Sequence, residues 1–365
     1  MNKKKRFVTR CTIVAVVILF GVLLTNGYAA DELPTVKWKC VTSMGQGTIW
    51  WDEGLAIPKM VKEMSGGRFT IEVFPPGAIV PSFQALDAVV NGSVECCNTW
   101  ASYFGGKNRG LNPLDCVGAG MNNWDRIIWY YQHGGEDIAN ELFGTFGLIG
   151  IMNYVNCHEQ GFLTKNKPIN SVEDLKGMKL RCANPETREA LVALGAQSIN
   201  MPGGEVYEGL KRGVIDGLEM GTTYPDYQMG LHEIVDYWSV PIWHQRSCSH
   251  WFIVSKKAYE KLPSEYQAML KTAGIASCML GSTEQEYMSA EGAKKFLEAG
   301  VKQVKLDDRS MAEIEKAMVK VKKDFMKDPN YKKVVASMQE YLDYMRYWSE
   351  LTRPYGPTAQ PPFTK

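Results

Sequence analysis

The sequence lacks the markers of most catalytic classes. It holds no C-x-x-C, no G-x-S-x-G, no H-E-x-x-H and no Walker sequence. Their absence removes zinc ribbons, thioredoxin-like redox centres, the nucleophile elbow, zincin proteases and phosphate-cradling loops. Its five histidines, His133, His158, His232, His244 and His250, are not paired at ligand spacing. An excess of one charge is missing too: 41 Lys and Arg face 40 Asp and Glu. The absence of a basic cluster beyond the N-terminal segment argues against nucleic acid as a partner. No internal repeat or low-complexity tract is present. Past Leu24, no apolar run is long enough to cross a membrane.

The one hydrophobic run stands at the start. Lys3, Lys4, Lys5, Arg6 and Arg10 precede an apolar stretch from Cys11 to Leu24, and Gly27-Tyr28-Ala29 supplies small residues for cleavage. This pattern predicts a signal peptide over 1–29 and a periplasmic protein, with an uncleaved anchor as the alternative. Cleavage removes five positive charges and no negative one, taking the net charge from +1 to −4. Eight cysteines then remain, Cys40, Cys96, Cys97, Cys116, Cys157, Cys182, Cys248 and Cys278. A chain this long does not need disulfides, so a bridge from Cys40 to Cys96 or Cys97 and a set of buried thiols are both open.

What is present is a dense alternation of short strands and helices. Val36 to Thr42 reads as a strand, Thr48 to Met64 as a helix interrupted near Pro58, and Arg68 to Phe74 as a strand. A helix capped by Ser82 and a strand from Ser93 to Asn98 follow. Asp125 caps a long helix through Leu142, and Leu148 to Val155 and Gly161 to Lys165 are strands. The densest stretch is Gly177 to Gly221. Met178-Lys179-Leu180-Arg181 alternates as a half-buried strand does, Pro185 opens a helix that Gly195 ends, and a second helix runs from Glu205 to Arg212. Gln197 to Met201 and Val214 to Glu219 are its other strands. Such alternation predicts α/β architecture with a parallel sheet, whose ligands bind beyond the carboxyl ends of the strands. Arg181 and Glu219 both fall there. Ile234 to Val240 and His250 to Ser255 are further strands. Ala268 to Leu297 lacks proline and reads as one long helix.

That stretch carries a family resemblance. Gly177-Met178-Lys179-Leu180-Arg181, Gly195-Ala196, Pro202 to Tyr207, Leu210, Gly213, Ile215-Asp216 and Glu219 resemble, in order and spacing, the signature of the DctP family. These are the periplasmic solute-binding subunits of tripartite ATP-independent periplasmic (TRAP) transporters. Glu63 to Val80 resembles the opening of the family's first lobe, so the resemblance covers essentially the whole mature chain. It implies a type II periplasmic-binding-protein-like fold: two lobes with a ligand cleft, a long connecting helix and a C-terminal helical extension. The implied bounds are 36–160 with 250–270 for the first lobe and 161–249 for the second. Connecting and lobe-packing helices fill 271–330, a C-terminal helix 331–352, and a loose tail 353–365.

The resemblance is closest to the branch that binds 2-oxo acids and lactate. It implies a receptor, not an enzyme, that takes a small 2-oxo or 2-hydroxy monocarboxylate and delivers it to a membrane permease. A sulfonate or aromatic acid, or an exported hydrolase or lyase, is the alternative. Arg181 is expected to clamp the carboxylate through its planar fork. Gln160, Glu219 and the Met220 carbonyl are expected to hold a sodium or calcium ion, being hard oxygen donors. Trp100, Tyr103, Asn98 and Trp243 are expected to line the cleft. Where this branch has Glu-Trp, the chain has Glu219-Met220. Where the branch has PGWHEPG, the chain has Pro241 to Ser247, which keeps Trp243 and His244 but brings in Arg246. Met338, Tyr341, Met345 and Trp348 recur at helical spacing, and in this branch such a helix packs on a second subunit, implying a homodimer.

Overall fold

A computed structural model describes residues 33–116 and 120–352. The predicted signal peptide and tail lie outside the described residues. The chain opens with β1 (Val36–Thr42), α1 (Ile49–Gly54), α2 (Ala56–Met64) and β2 (Phe69–Phe74). The helix expected over 48–64 is therefore two. They part at Leu55, and Pro58 sits in the first turn of the second, where its missing N–H costs nothing. Thr48 caps the first by accepting from Trp51 N. Next come α3 (Ala85–Val90), β3 (Cys96–Thr99) and α4 (Leu111–Asp115). Ser82 does not cap: it lies inside a 3₁₀ turn and makes no side-chain cap bond.

The long helix expected over 125–142 is also two, α5 (Asn123–Gln132) and α6 (Gly135–Gly144). Gly134, at φ 75°, turns the chain between them. The cap is Asn122, one half of a capping box whose other half is Asp125. The chain continues through β4 (Leu148–Asn156), β5 (Leu163–Thr164), β6 (Lys179–Arg181), α7 (Pro185–Ala193), β7 (Gln197–Ile199), α8 (Val206–Lys211) and β8 (Gly217–Leu218). Then follow α9 (Thr223–Gln228), β9 (Tyr237–Val240), β10 (Cys248–Ser255), α10 (Lys256–Glu260) and α11 (Ser264–Glu298). The chain closes with β11 (Lys302–Lys305), α12 (Asp308–Phe325) and α13 (Pro329–Thr352). β11 escaped the sequence reading because Lys-Gln-Val-Lys carries no apolar run to mark it.

The strands form two sheets, one ordered β2-β1-β3-β10-β4 and the other β11-β9-β5-β8-β6-β7. The α/β class is the one the alternation predicts, but neither sheet is purely parallel: β5 and β10 run antiparallel to their neighbours. β10 returns from the second sheet and inserts antiparallel between β3 and β4, and seven of its eight residues are buried. The chain crosses between sheets at 157–162 and again at 241–247. α11 packs along β4 on one side and α9 on the other, so one helix spans both halves. Glycines allow that approach. A Cβ on Gly274 would lie 2.3 Å from Ile151, and one on Gly292 would lie 2.4 Å from the Tyr224 backbone nitrogen.

Of the hydrophobic clusters, two share α13. Val334, Met338 and Tyr341 join the cluster that holds Trp251, Trp129 and Phe143. Tyr331 and Val335 join the cluster that holds Leu180, Leu191 and Phe325. The apolar stripe seen in the sequence thus divides. Met338 and Tyr341 pack at home and Met345 is half-buried against them, whereas Trp348 is 59% exposed, beside the exposed Tyr344, Tyr347 and Leu351. The eight described cysteines are all buried free thiols, with Cys40 in register opposite Cys96.

Candidate functional site

Two parallel strands bring the central charges together. β6 pairs β8 with Arg181 opposite Leu218, so Glu219 follows at the next position. β6 must stop at Arg181 because Asn184 caps α7, accepting from Thr187 N at 2.9 Å, and Pro185 occupies the first turn. Arg181 Nη1 donates to Glu219 O at 2.5 Å and to Glu219 Oε1 at 3.1 Å, and Nε donates to Met201 O at 3.1 Å. Ala183 N donates to the same carboxylate oxygen at 2.6 Å. Among the described residues, Arg181 Nη2 has no partner. Burial works against the Glu219 charge, but Arg181 offsets it and holds the carboxyl below its usual range. Both side chains are 2% exposed. Removing one partner of such a pair costs about 3–5 kcal/mol, since the other charge is stranded.

Trp100, Ser102 and Tyr103 approach from the turn after β3 and, with Arg181, Glu219 and Met220, line a cavity of about 20 Å³. Asp115 anchors that turn, accepting from Ser102 N at 2.5 Å and from Trp251 Nε1 at 2.9 Å. Trp100 packs edge-on to Trp50, with centroids 5.4 Å apart. Burial, partly offset by Arg181, pushes the Tyr103 hydroxyl up to about 12, so it remains a donor. Cys116 and Cys248 close the wall, with sulfurs 3.3 Å apart. Burial raises both thiols, Cys248 to about 11. A neighbouring cavity of about 230 Å³ shares Trp100 and Met220 and reaches Tyr207 and Gln228.

The first crossing segment supplies Glu159 and Gln160. Gln160 N donates to Gly221 O at 2.8 Å and its amide nitrogen donates to Asp226, leaving Oε1 buried without a partner. Glu159 accepts from the Gln245 amide, and its other oxygen lies 3.3 Å from His244 Nε2. Burial, reinforced by Glu219 nearby, raises Glu159 well above its usual value. Burial also raises Asp226 to about 7 and lowers His244 to about 4.

Of the residues singled out in the sequence, Arg181, Glu219, Met220, Trp100 and Tyr103 meet at the cavity. Gln160 stands behind it, against Asp226. Two residues lie elsewhere. Asn98 is fully buried beneath α1, donating to Gly54 O at 2.9 Å, because its position in β3 points it into the helix layer. Trp243 stacks on Phe162 and lines a separate groove of about 600 Å³ with Arg246 and Lys322. Arg246, exposed in that groove, does not line the cavity with Glu219. Sequence reasoning missed Glu159, Asn184, Asp226, Cys116, Cys248 and the inward-facing role of His244. Of these, Glu159 and His244 were within reach, as the first adjoins Gln160 and the second is shared with the family motif.

The donor types are those a hard cation takes: Gln160 Oε1 is a buried oxygen lacking a hydrogen bond, and the Glu219 carboxyl is held charged.

Strand ends of the second sheet, the turn after β3 and the two crossings converge on this buried charged cavity. The chain belongs to the DctP family, bacterial extracellular solute-binding protein family 7, which matches residues 41–328. Its members are solute-binding proteins of TRAP transporters. A monocarboxylate 2-oxoacid-binding periplasmic protein from a Nostoc species is 29% identical over 353 residues, 96% of each chain. A TRAP solute-binding protein from Bordetella bronchiseptica superposes with TM-score 0.83 at 26% identity over 88% of this chain and 95% of that one. That protein is a dimer of mixed occupancy, with copurified calcium and picolinate in the bound site. One from Pseudoalteromonas atlantica superposes with TM-score 0.82 at 27% identity over 87% and 97%, with bound sodium and pyruvate. No helix among the described residues is long and apolar enough to cross a membrane.

Proposed function

We propose that this chain is an exported TRAP-transporter receptor for a small 2-oxo or 2-hydroxy monocarboxylate, bound beside a sodium or calcium ion. The observation that carries the reading is the Arg181–Glu219 pair at the cavity. Glu219 neutralises and aims the guanidinium, and Nη2 is left to meet a ligand carboxylate. Because the pair is neutral together, an incoming carboxylate brings an uncompensated buried charge. A cation on Gln160, Glu219 and the Met220 carbonyl balances it. An oxygen next to the ligand carboxylate can complete its shell. The thiols at the wall are held protonated by burial, which suits a receptor rather than a nucleophilic catalyst. Calorimetry on chelator-stripped protein with pyruvate, lactate, a sulfonate and an aromatic acid tests this. Binding of pyruvate or lactate that appears only when sodium or calcium is restored is expected; equal binding without a cation removes the ion.

A larger acid is the second reading. Met220 stands where this branch has tryptophan, and the 230 Å³ cavity opens beside it. The architecture we infer is two lobes, 36–160 with 250–270 and 161–249, that close on the ligand, preceded by a cleaved signal peptide over 1–29. We infer a homodimer through the exposed second half of α13.

A further inference from the structure

The oxygen-only cation site leaves one buried side chain unused. His244, in the crossing between β9 and β10, is 1% exposed, and neither of its ring nitrogens makes a hydrogen bond. A buried imidazole rarely goes without a partner. Its Nε2 faces Glu159 Oε2 at 3.3 Å, and that oxygen also lacks a hydrogen bond. Two ligands on one tetrahedral centre with bonds of about 2.0–2.1 Å lie about 3.3 Å apart, so the pair has the spacing of co-ligands. Glu219 joins them: Glu159, Glu219 and His244 each place a donor atom within 4.8 Å of the others, and all three are buried. They come from the two crossing segments and a strand end, and meet only when the chain is folded.

We propose that Glu159 and His244 extend the cation site of this chain, so that with Glu219 it accepts a divalent transition metal of the zinc or cobalt class. This deepens the reading of the cavity as a cation-assisted acid site and rests on it. Carboxylate, amide and carbonyl oxygens suit sodium and calcium, whereas an imidazole nitrogen strengthens binding of first-row transition metals. Arg181 keeps Nη2 for the ligand carboxylate in either case.

The test titrates cobalt(II) chloride into chelator-stripped mature protein and follows the visible spectrum. A metal held by nitrogen and oxygen in a four- or five-coordinate site absorbs far more strongly than aqueous cobalt. One saturable equivalent is expected, displaced by zinc and retained under a tenfold excess of calcium. His244→Ala and the isosteric Glu159→Gln, each checked for native circular dichroism, should weaken cobalt binding at least tenfold. A spectrum no stronger than aqueous cobalt, or one unchanged in both variants, overturns the proposal. So does a thiolate charge-transfer band in the near ultraviolet, which would put the metal on Cys116 and Cys248. Parallel calorimetry of wild type with pyruvate and calcium separates the two readings. Pyruvate binding without a cobalt site discards this inference alone, and a cobalt site without acid binding keeps the site and discards the receptor reading.

Discussion

In the receptor we propose, Arg181 does two jobs with one planar group, and Lys can do neither fully. Its Nε and Nη1 fix Met201 and Glu219, leaving Nη2 without a partner among the described residues, and Arg181 lines the cavity. An ammonium keeps the charge but not the fork. Arg181→Lys should therefore remain folded and lose roughly 100-fold or more in acid affinity by calorimetry, about 2.7 kcal/mol. Affinity within a few-fold of wild type would take Arg181 out of the site. The thiols give a second expectation. Cys116 and Cys248 are buried and protonated, so the native protein should leave them unalkylated by iodoacetamide at neutral pH while the unfolded chain reacts fully. Mass spectrometry reads the difference. Arg181 and Glu219 were legible in the sequence because alternation places both at strand ends and parallel pairing puts those ends side by side. Glu159 and His244 were not legible as a pair, since 85 residues separate them and only the two crossings bring them together. Asn98 misled because a strand-end position says nothing of which face the side chain takes.

Elements show the same division between local and distant causes. The helix breaks at Leu55 and Gly134 follow from backbone chemistry, and the first was expected near Pro58. Nothing local announces that α11 must lie against two sheets. Its glycines record that need: Gly292→Ala would drive a methyl group into the start of α9, at the Thr223 carbonyl carbon and the Tyr224 nitrogen. Backbone atoms cannot rotate aside, so a loss of about 1–3 kcal/mol in denaturant unfolding is expected; an unchanged midpoint would show that α9 gives way. α13 carries a different expectation. Its inner half is core, so deletion from Pro329 would unfold both clusters and reveal nothing of assembly. Truncation after Asp343 removes Tyr344, Tyr347 and Leu351 while sparing Tyr341. Light scattering should report a dimer for the full mature chain and a monomer for the truncated one, and a monomer mass for both would discard the dimer.

At the scale of the whole molecule, buried acids set the response to pH. Burial raises Asp115 and Glu186 to about 7, from 3.8 and 4.5. A raised carboxyl stabilises the fold fully below its unfolded value and loses that contribution as pH rises through about 7. Burial lowers His250 to about 3, and a depressed histidine acts the other way, its contribution being lost as pH falls below about 6.5. The two oppose each other in acid, but toward pH 8 the carboxyls prevail. The urea midpoint should therefore fall between about pH 6.5 and 8, and Glu186→Gln should flatten that fall. A midpoint that rises over this interval would contradict the assignment. The order in which the molecule can be made is set by α13. The two clusters that α13 joins are not complete until residues 331–341 have left the ribosome, and the interior strand β10 arrives only after residue 247. Cotranslational folding therefore cannot finish with the first sheet while the second is still being synthesised. A nascent chain stalled short of α13 should stay open to protease in the two clusters that α13 completes, and close only when residues 331–341 are added.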